Sequence, residues 1–234
     1  MSSAAPTVLF WDIDGTLLTT ARAGVFALEA AAREVLGLEP DIADLRTAGL
    51  TDAEVAAAVI GHCGRAADAA TVAAFLRVYE RELPGCLPLR RGNVMPGVCE
   101  ILRDLAGRPD VVSLLLTGNT PAGARAKLRH YGLAAHFDGG SFCTGPGARE
   151  EIARTAREIV RGRYGSVART YVLGDTPLDI RCGKAIGART VAVATGAYSL
   201  AELRAHDPWA ALERLPEPPT FRALIELETS VLRP

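Results

Sequence analysis

Three short clusters hold the residues whose types and spacing could do chemistry: Asp12-Ile13-Asp14-Gly15-Thr16, Thr117-Gly118-Asn119 and Gly174-Asp175-Thr176-Pro177-Leu178-Asp179. A carboxylate can attack a phosphoryl group and hold it as an aspartyl-phosphate, which splits one hard displacement into two easier ones. Asp12 is the candidate nucleophile. Asp14, two residues on, is placed to protonate the leaving oxygen and later to activate water, a pairing suited to ester hydrolysis. Gly15 lets the chain bend away and Thr16 can hydrogen-bond the turn. The Thr117 hydroxyl, with the backbone N–H groups beside Gly118 and Asn119, can hold the transferring oxygens. Carboxylates crowded in this way would repel a phosphate dianion unless a hard cation neutralised them, and Mg2+ suits carboxylates, phosphate oxygens and retained waters. Its candidate ligands are Asp12, Asp14, Asp175 and Asp179, with Asp175 binding directly and Asp179 through water.

Taken singly, each cluster has a plainer reading: a turn after a strand, a helix cap, a solvated helix carboxylate. Their shared position is what argues for function. Each follows a short apolar run (Val8 to Trp11, Val111 to Leu116, Tyr171 to Leu173) of the kind that forms buried parallel strands. Open α/β sheets bind ligands at the carboxyl ends of such strands, so one crevice can collect all three clusters. Helical patterning over Val98 to Ala106, Ala122 to Tyr131, Glu150 to Val160 and Leu178 to Ile186 alternates with these runs and with a strand at Thr190 to Ala194. The alternation predicts an α/β fold with a doubly wound parallel sheet. A short extended piece is expected near Phe137. The tail reads as a helix Leu200 to His206, a segment Trp209 to Leu215 read with it, a break at Pro216 to Pro219 and a helix Phe221 to Leu232.

Residues 20–92 differ: Val25 to Leu36, Asp52 to Gly61 and Ala66 to Leu83 all carry helical spacing. This segment reads as an inserted, mainly helical cap domain, with residues 1–19 and 93–234 forming the catalytic core. An insertion that leaves the chain just after Asp14 must sit over the strand ends, where it can exclude water and contact the leaving group.

The 234 residues carry a formal charge of −1, which gives no long-range attraction for nucleic acid or an anionic membrane. Phosphate recognition must be local. Five scattered cysteines without paired spacing read as reduced thiols, and the four histidines show no metal-ligand spacing. Neither a leader pattern nor a run of membrane-spanning length is present, and a cytoplasmic enzyme, monomer or homodimer, is the expectation.

With its D-x-D-G-T cluster at Asp12, Thr117, and the G-D-x-x-x-D cluster at Asp175 and Asp179, the chain resembles the haloacid dehalogenase superfamily over nearly its whole length. The resemblance implies a Rossmann-like core with a hinged helical cap and a phosphatase-like activity, because Asp14 is absent from the dehalogenases and phosphonatases. In outline the similarity is to phosphoglycolate phosphatases. Relatives carry a lysine, commonly followed by proline, at the start of the helix before the last motif, where it bridges nucleophile and phosphate. Here Gly145-Pro146-Gly147-Ala148-Arg149 has no lysine. Arg149 is the positional match, and Lys127, on the helix after Thr117, is its rival. Cap residues Arg22 and the Thr51-Asp52 pair, in the turn from Gly49, are the substrate-binding candidates. The expected function is Mg2+-dependent hydrolysis of a small phosphorylated metabolite, set against a sugar phosphomutase and a catalytically silent binding module.

Overall fold

The computed structural model describes residues 5–145, 147 and 149–227. Strand β1 (Thr7–Trp11) is buried along its whole length, and the antiparallel ribbon β2 (Leu18–Thr19) and β3 (Asn93–Val94) follows its exit turn. Strands β4 (Val111–Leu116), β5 (Gly140–Ser141), β6 (Arg169–Gly174), β7 (Arg189–Val193) and β8 (Ala210–Leu212) complete a parallel sheet in the order β5-β4-β1-β6-β7-β8. Thr7 lies opposite Val111 on one flank and Arg169 on the other. From β1 the chain works outward through β4 to β5, then returns to the opposite flank as β6. That reversal opens a crevice at the carboxyl ends of β1, β4 and β6, where all three polar clusters emerge.

Both faces of the sheet are covered, which explains its uninterrupted apolar runs. Val8 and Phe10 join one cluster with Ile152 and Ala156 of helix α6, while Leu9 and Trp11 join another with Ile101, Leu102, Leu128 and Phe221. Burial of each large side chain contributes about 1.5–3 kcal/mol. The covering helices are α4 (Val98–Leu105), α5 (Pro121–His130), α6 (Arg149–Tyr164), α7 (Pro177–Ala185), α8 (Leu200–Arg204) and α9 (Pro218–Leu224). Helices α5 and α7 start by the same device, a threonine cap followed by proline: Thr120 accepts from the Gly123 N–H, and Thr176 from the Asp179 N–H. The second and third clusters therefore pass directly from a strand into a capped helix, while the first passes from β1 into the β2 ribbon.

Between β2 and β3 lie only helices: α1 (Gly24–Leu36), α2 (Asp52–His62) and α3 (Ala69–Cys86). Buried Ala27, Ala31 and Ala32 on α1 share one apolar cluster with Phe75 and Tyr79 of α3, and that cluster continues into the Val8 face of the sheet. Helix α3 begins three residues later than its sequence suggests, because Asp68 caps it by accepting from the Thr71 N–H.

The tail departs from its sequence reading. Ala210–Leu212 is not helical but the outermost strand, held by the Ala194 N–H donating to the Leu212 carbonyl. Pro218 and Pro219 do not break a helix; they begin α9, where a missing N–H costs nothing. That helix stops at Leu224, and the rest of the expected span to Leu232 lies partly outside the described residues. Near Phe137 the chain makes a single 3-10 turn, Ala134–His136, before β5. Among the described residues no helix is long and apolar enough to cross a membrane.

Candidate active site

Asp12 leaves β1 with its N–H donated to the Leu173 carbonyl at 3.0 Å, which fixes it beside the end of β6. The turn that follows needs Gly15, whose φ of 84° lies in the left-handed region. Thr16 Oγ1 then donates to Asp175 Oδ1 at 3.1 Å, and Thr195 Oγ1, from the loop after β7, donates to the Gly15 carbonyl at 2.6 Å. Asp175 is pressed between two bare backbones: a Cβ at Gly15 or at Gly196 would stand 2.3 or 1.7 Å from its Oδ2. Asp179, in the first turn of α7, closes the group, its Oδ2 accepting from the Thr176 N–H and hydroxyl.

Asp12, Asp175 and Asp179 each bring a carboxylate oxygen within 4.8 Å of the others, and all three are buried. Among the described residues the cation in contact with them is Arg149, whose guanidinium lies 3.0 Å from Asp12 Oδ1 and 2.5 Å from Asp179 Oδ1. The contact to Asp12 is an ion pair without hydrogen-bond alignment, which leaves Asp12 Oδ1 without a hydrogen-bond donor. Burial pushes Asp12 up to about 6, against the pull of Arg149 and with a further push from Asp179 and Asp14. Burial likewise raises Asp175 well above the usual carboxylate range, reinforced by Asp179 and Asp12. One arginine does not neutralise three buried carboxylates. The orphaned oxygen, the all-oxygen donor set and the glycine cradle fit a hard divalent cation held by Asp12, Asp175 and Asp179.

Asp14, expected among the metal ligands, is placed apart from the other three carboxylates. Its side chain is not part of the trio but turns to the opposite wall, accepting from Lys127 Nζ at 2.6 Å and from Asn119 Nδ2 at 2.8 Å, and is 44% exposed. Lys127 Nζ also donates to Asn119 Oδ1 at 2.6 Å, and Asn119 Nδ2 donates to Thr117 Oγ1 at 2.8 Å. Burial works against the Lys127 charge, yet Asp14, Asp52 and Asp12 outweigh it and its pKa is raised. The structure thus brings together both rival cations, one on each wall. Arg149 opens α6, as its position suggested, and its Nη1 also donates to the Gly49 carbonyl of the helical segment at 2.9 Å.

A cavity of about 910 Å³ extends from these residues to the helical segment, where Val25, Leu28, Leu50, Val55 and Tyr79 line it. Gly118 and Asn119 line it on the core side. Of the two substrate candidates on the helices, Thr51 is a cap: its hydroxyl accepts from the Glu54 N–H while Glu54 accepts from the Thr51 N–H. Arg22 borders the cavity, but its guanidinium donates to the Ile42 and Ala43 carbonyls, so it ties down its own loop. The sequence reading did not select Thr195 and Gly196, which lack any motif around them. A Thr-Gly pair following a buried strand, as at Thr117-Gly118, was the available signal.

Residues 9–184 match the family model described as haloacid dehalogenase-like hydrolase, and residues 148–221 a second, related hydrolase model. The chain is similar to the curated "Probable phosphatase IndB" of Dickeya dadantii (strain 3937), at 28% identity over 96% of this chain and 97% of that one. Among solved structures, a predicted phosphoglycolate phosphatase from Haemophilus somnus 129pt has a TM-score of 0.69 at 14% identity, over 97% of this chain and 100% of that one. A Thermotoga maritima protein named by inference as a beta-phosphoglucomutase has a TM-score of 0.61 at 20% identity, over 95% and 99%. At such identities the solved structures speak for the fold alone.

Proposed function

The chain belongs to the haloacid dehalogenase-like hydrolases and is a phosphatase of that family; on that premise we propose that it hydrolyses the phosphate monoester of a small metabolite, with Mg2+ bound and Asp12 as nucleophile. The observation that carries the reading is the division of the crevice into two walls. Asp12 stands among excess buried negative charge with one oxygen that accepts no hydrogen bond, while Asp14 stands on the open wall paired with Lys127. Mg2+ held by Asp12, Asp175 and Asp179 would supply charge neutralisation toward the phosphoryl oxygens. Arg149 holds Asp12 ionised and aimed. Asp12 Oδ attacks phosphorus and the ester P–O bond breaks, Asp14 giving its proton to the departing oxygen. Asp14 then takes a proton from water, which attacks the aspartyl-phosphate, and orthophosphate leaves with Asp12 restored. Thr117 and the backbone N–H groups at Gly118 and Asn119 hold the transferring oxygens. Helices α1 to α3, over residues 20–92, act as a cap that keeps bulk water from the acyl-phosphate and meets the leaving group with Val25, Leu28 and Leu50.

The test is turnover of p-nitrophenyl phosphate and a panel of phosphate esters with Mg2+, with EDTA abolishing it. No turnover across the panel would sink the reading. Interconversion of sugar phosphates dependent on a bisphosphate primer would replace it with the mutase reading.

A further inference from the structure

Asp52 is a partly buried carboxylate at the site to which the hydrolytic mechanism gives no task. It opens α2, yet its bonds reach into the core. Its N–H donates to the Gly118 carbonyl at 2.8 Å, and its Oδ2 accepts from the Thr120 N–H at 2.7 Å. These two bonds run in opposite senses and close a ring over Gly118-Asn119-Thr120, the loop that follows Thr117. The approach leaves no room to spare: a Cβ at Gly118 would stand 2.9 Å from the Leu50 carbonyl oxygen and 3.0 Å from Thr51 Cα. Asp52 also faces Lys127, whose ammonium binds both Asp14 and Asn119. No other residue of α1, α2 or α3 among the described residues makes a reciprocal pair of this kind with the core loop.

We propose that Asp52 is a positioning residue: it seats the helical cap on the Gly118–Thr120 loop, so that covering the cavity and setting the donors around the phosphoryl group are one event. The proposal takes from the hydrolase reading only that this loop holds phosphate oxygens. When α2 is seated, the Thr120 N–H and the Gly118 carbonyl are both occupied, and the loop can no longer rotate its N–H groups away from the crevice. When α2 lifts, both bonds are exchanged for water, and the loop is released with the cap.

The experiment compares the full-length wild type with Asp52→Ala and Asp52→Asn, the second keeping an oxygen that can accept from Thr120. Hydrogen exchange is followed at the amides of residues 118–120 and, as an internal reference, at β1 and β6. Inhibition by inorganic phosphate is measured alongside. Asp52→Ala is expected to speed exchange at 118–120, at Thr120 above all, about tenfold with β1 and β6 unchanged, and to weaken phosphate inhibition by about the same factor, as a net hydrogen bond of 1–1.5 kcal/mol implies. Asp52→Asn should restore most of both. Should Asp52→Ala fail to fold, Asp52→Asn is expected to fold with the wild-type pattern; faster exchange in it than in wild type at 118–120 would overturn the proposal. Unchanged exchange in Asp52→Ala overturns it as well. So does a variant that alters discrimination among leaving groups but not phosphate inhibition, since Asp52 would then touch substrate itself. Because exchange needs no turnover, an inactive wild type would sink the hydrolase reading and leave this one standing.

Discussion

The two walls of the crevice solve the same electrostatic problem in opposite ways. On the Arg149 wall three carboxylates are buried around one guanidinium, and charge is left over. On the Lys127 wall one ammonium binds the half-exposed Asp14 and the Asn119 amide, so Asp14 has a cation of its own, with Asp52 facing the same ammonium. An under-neutralised dry wall is suited to a metal ion and a nucleophile, both of which gain from low water access. A wetter wall with a paired carboxylate suits a group that must gain and lose a proton in each turnover. Asp12 and Asp14, two residues apart, would share one side of a strand, but β1 ends at Trp11 and the chain turns at Gly15, so Asp14 reaches the other wall.

Asp12→Asn should break the contrast most completely. Turnover is expected to fall by about 10⁴-fold or more, as for loss of a covalent nucleophile, while the thermal midpoint holds or rises because an unneutralised buried charge has gone. Substantial residual kcat in a purified, folded variant would remove Asp12 from its role.

Arg149→Ala comes next, since it strands Asp12 and Asp179 in the dry wall. A loss of about 3–5 kcal/mol in denaturant unfolding and of about 10²–10³ in kcat is expected, with Lys127→Ala milder on both counts. If Lys127→Ala proved the more damaging change, the two walls would have to exchange tasks.

Asp14→Asn should act by substrate rather than uniformly. Phosphoryl transfer from p-nitrophenyl phosphate, whose leaving group needs no acid, is expected to survive, whereas alkyl phosphates lose about 10²–10⁴ in rate. Equal losses on both substrates would contradict an acid on the open wall.

The finest test concerns protons and metal on the dry wall. Folding holds Asp12 near 6 against an ordinary value of 3.8, so between those values the folded chain binds more protons than the unfolded one. The corresponding stability is present below 3.8 and lost as pH rises through 6. In EDTA, the thermal advantage of Asp12→Asn over wild type should therefore grow from pH 4 to pH 7, and Mg2+ should shrink it. A pH-independent difference would contradict the raised value. In the same titrations Asp175→Ala should cost more Mg2+ affinity than Asp179→Ala, because Asp179 is already engaged by Thr176 and Arg149.

Much of this arrangement could be read in the sequence because it is local. The apolar runs ending at Trp11, Leu116 and Leu173 announce strands buried on both faces, and a strand end dictates where the next few side chains emerge. The parallel sheet followed from the alternation of those runs with helices. What escaped depends on partners far along the chain. Lys127 could be named as a cation near the site from its helix after Thr117, but its partner Asp14, 113 residues away, could not. Nothing near Asp52 marks its bond to Thr120. Thr51 and Arg22 find their hydrogen-bond partners, Glu54 and the carbonyls of residues 42 and 43, within the helical segment itself. The strand at Ala210 lay hidden because a short apolar stretch becomes a strand only if a sheet edge stands waiting beside it.

That strand has a counterpart at the opposite margin, and together they govern how copies of this protein can meet. The sheet ends on β5, two residues long, and on β8, three residues long. Edges so brief offer almost no open ladder of N–H and C=O groups for a second chain to extend, which protects a long parallel sheet against runaway edge-to-edge aggregation. Joining of copies through the margins of this sheet is thereby disfavoured.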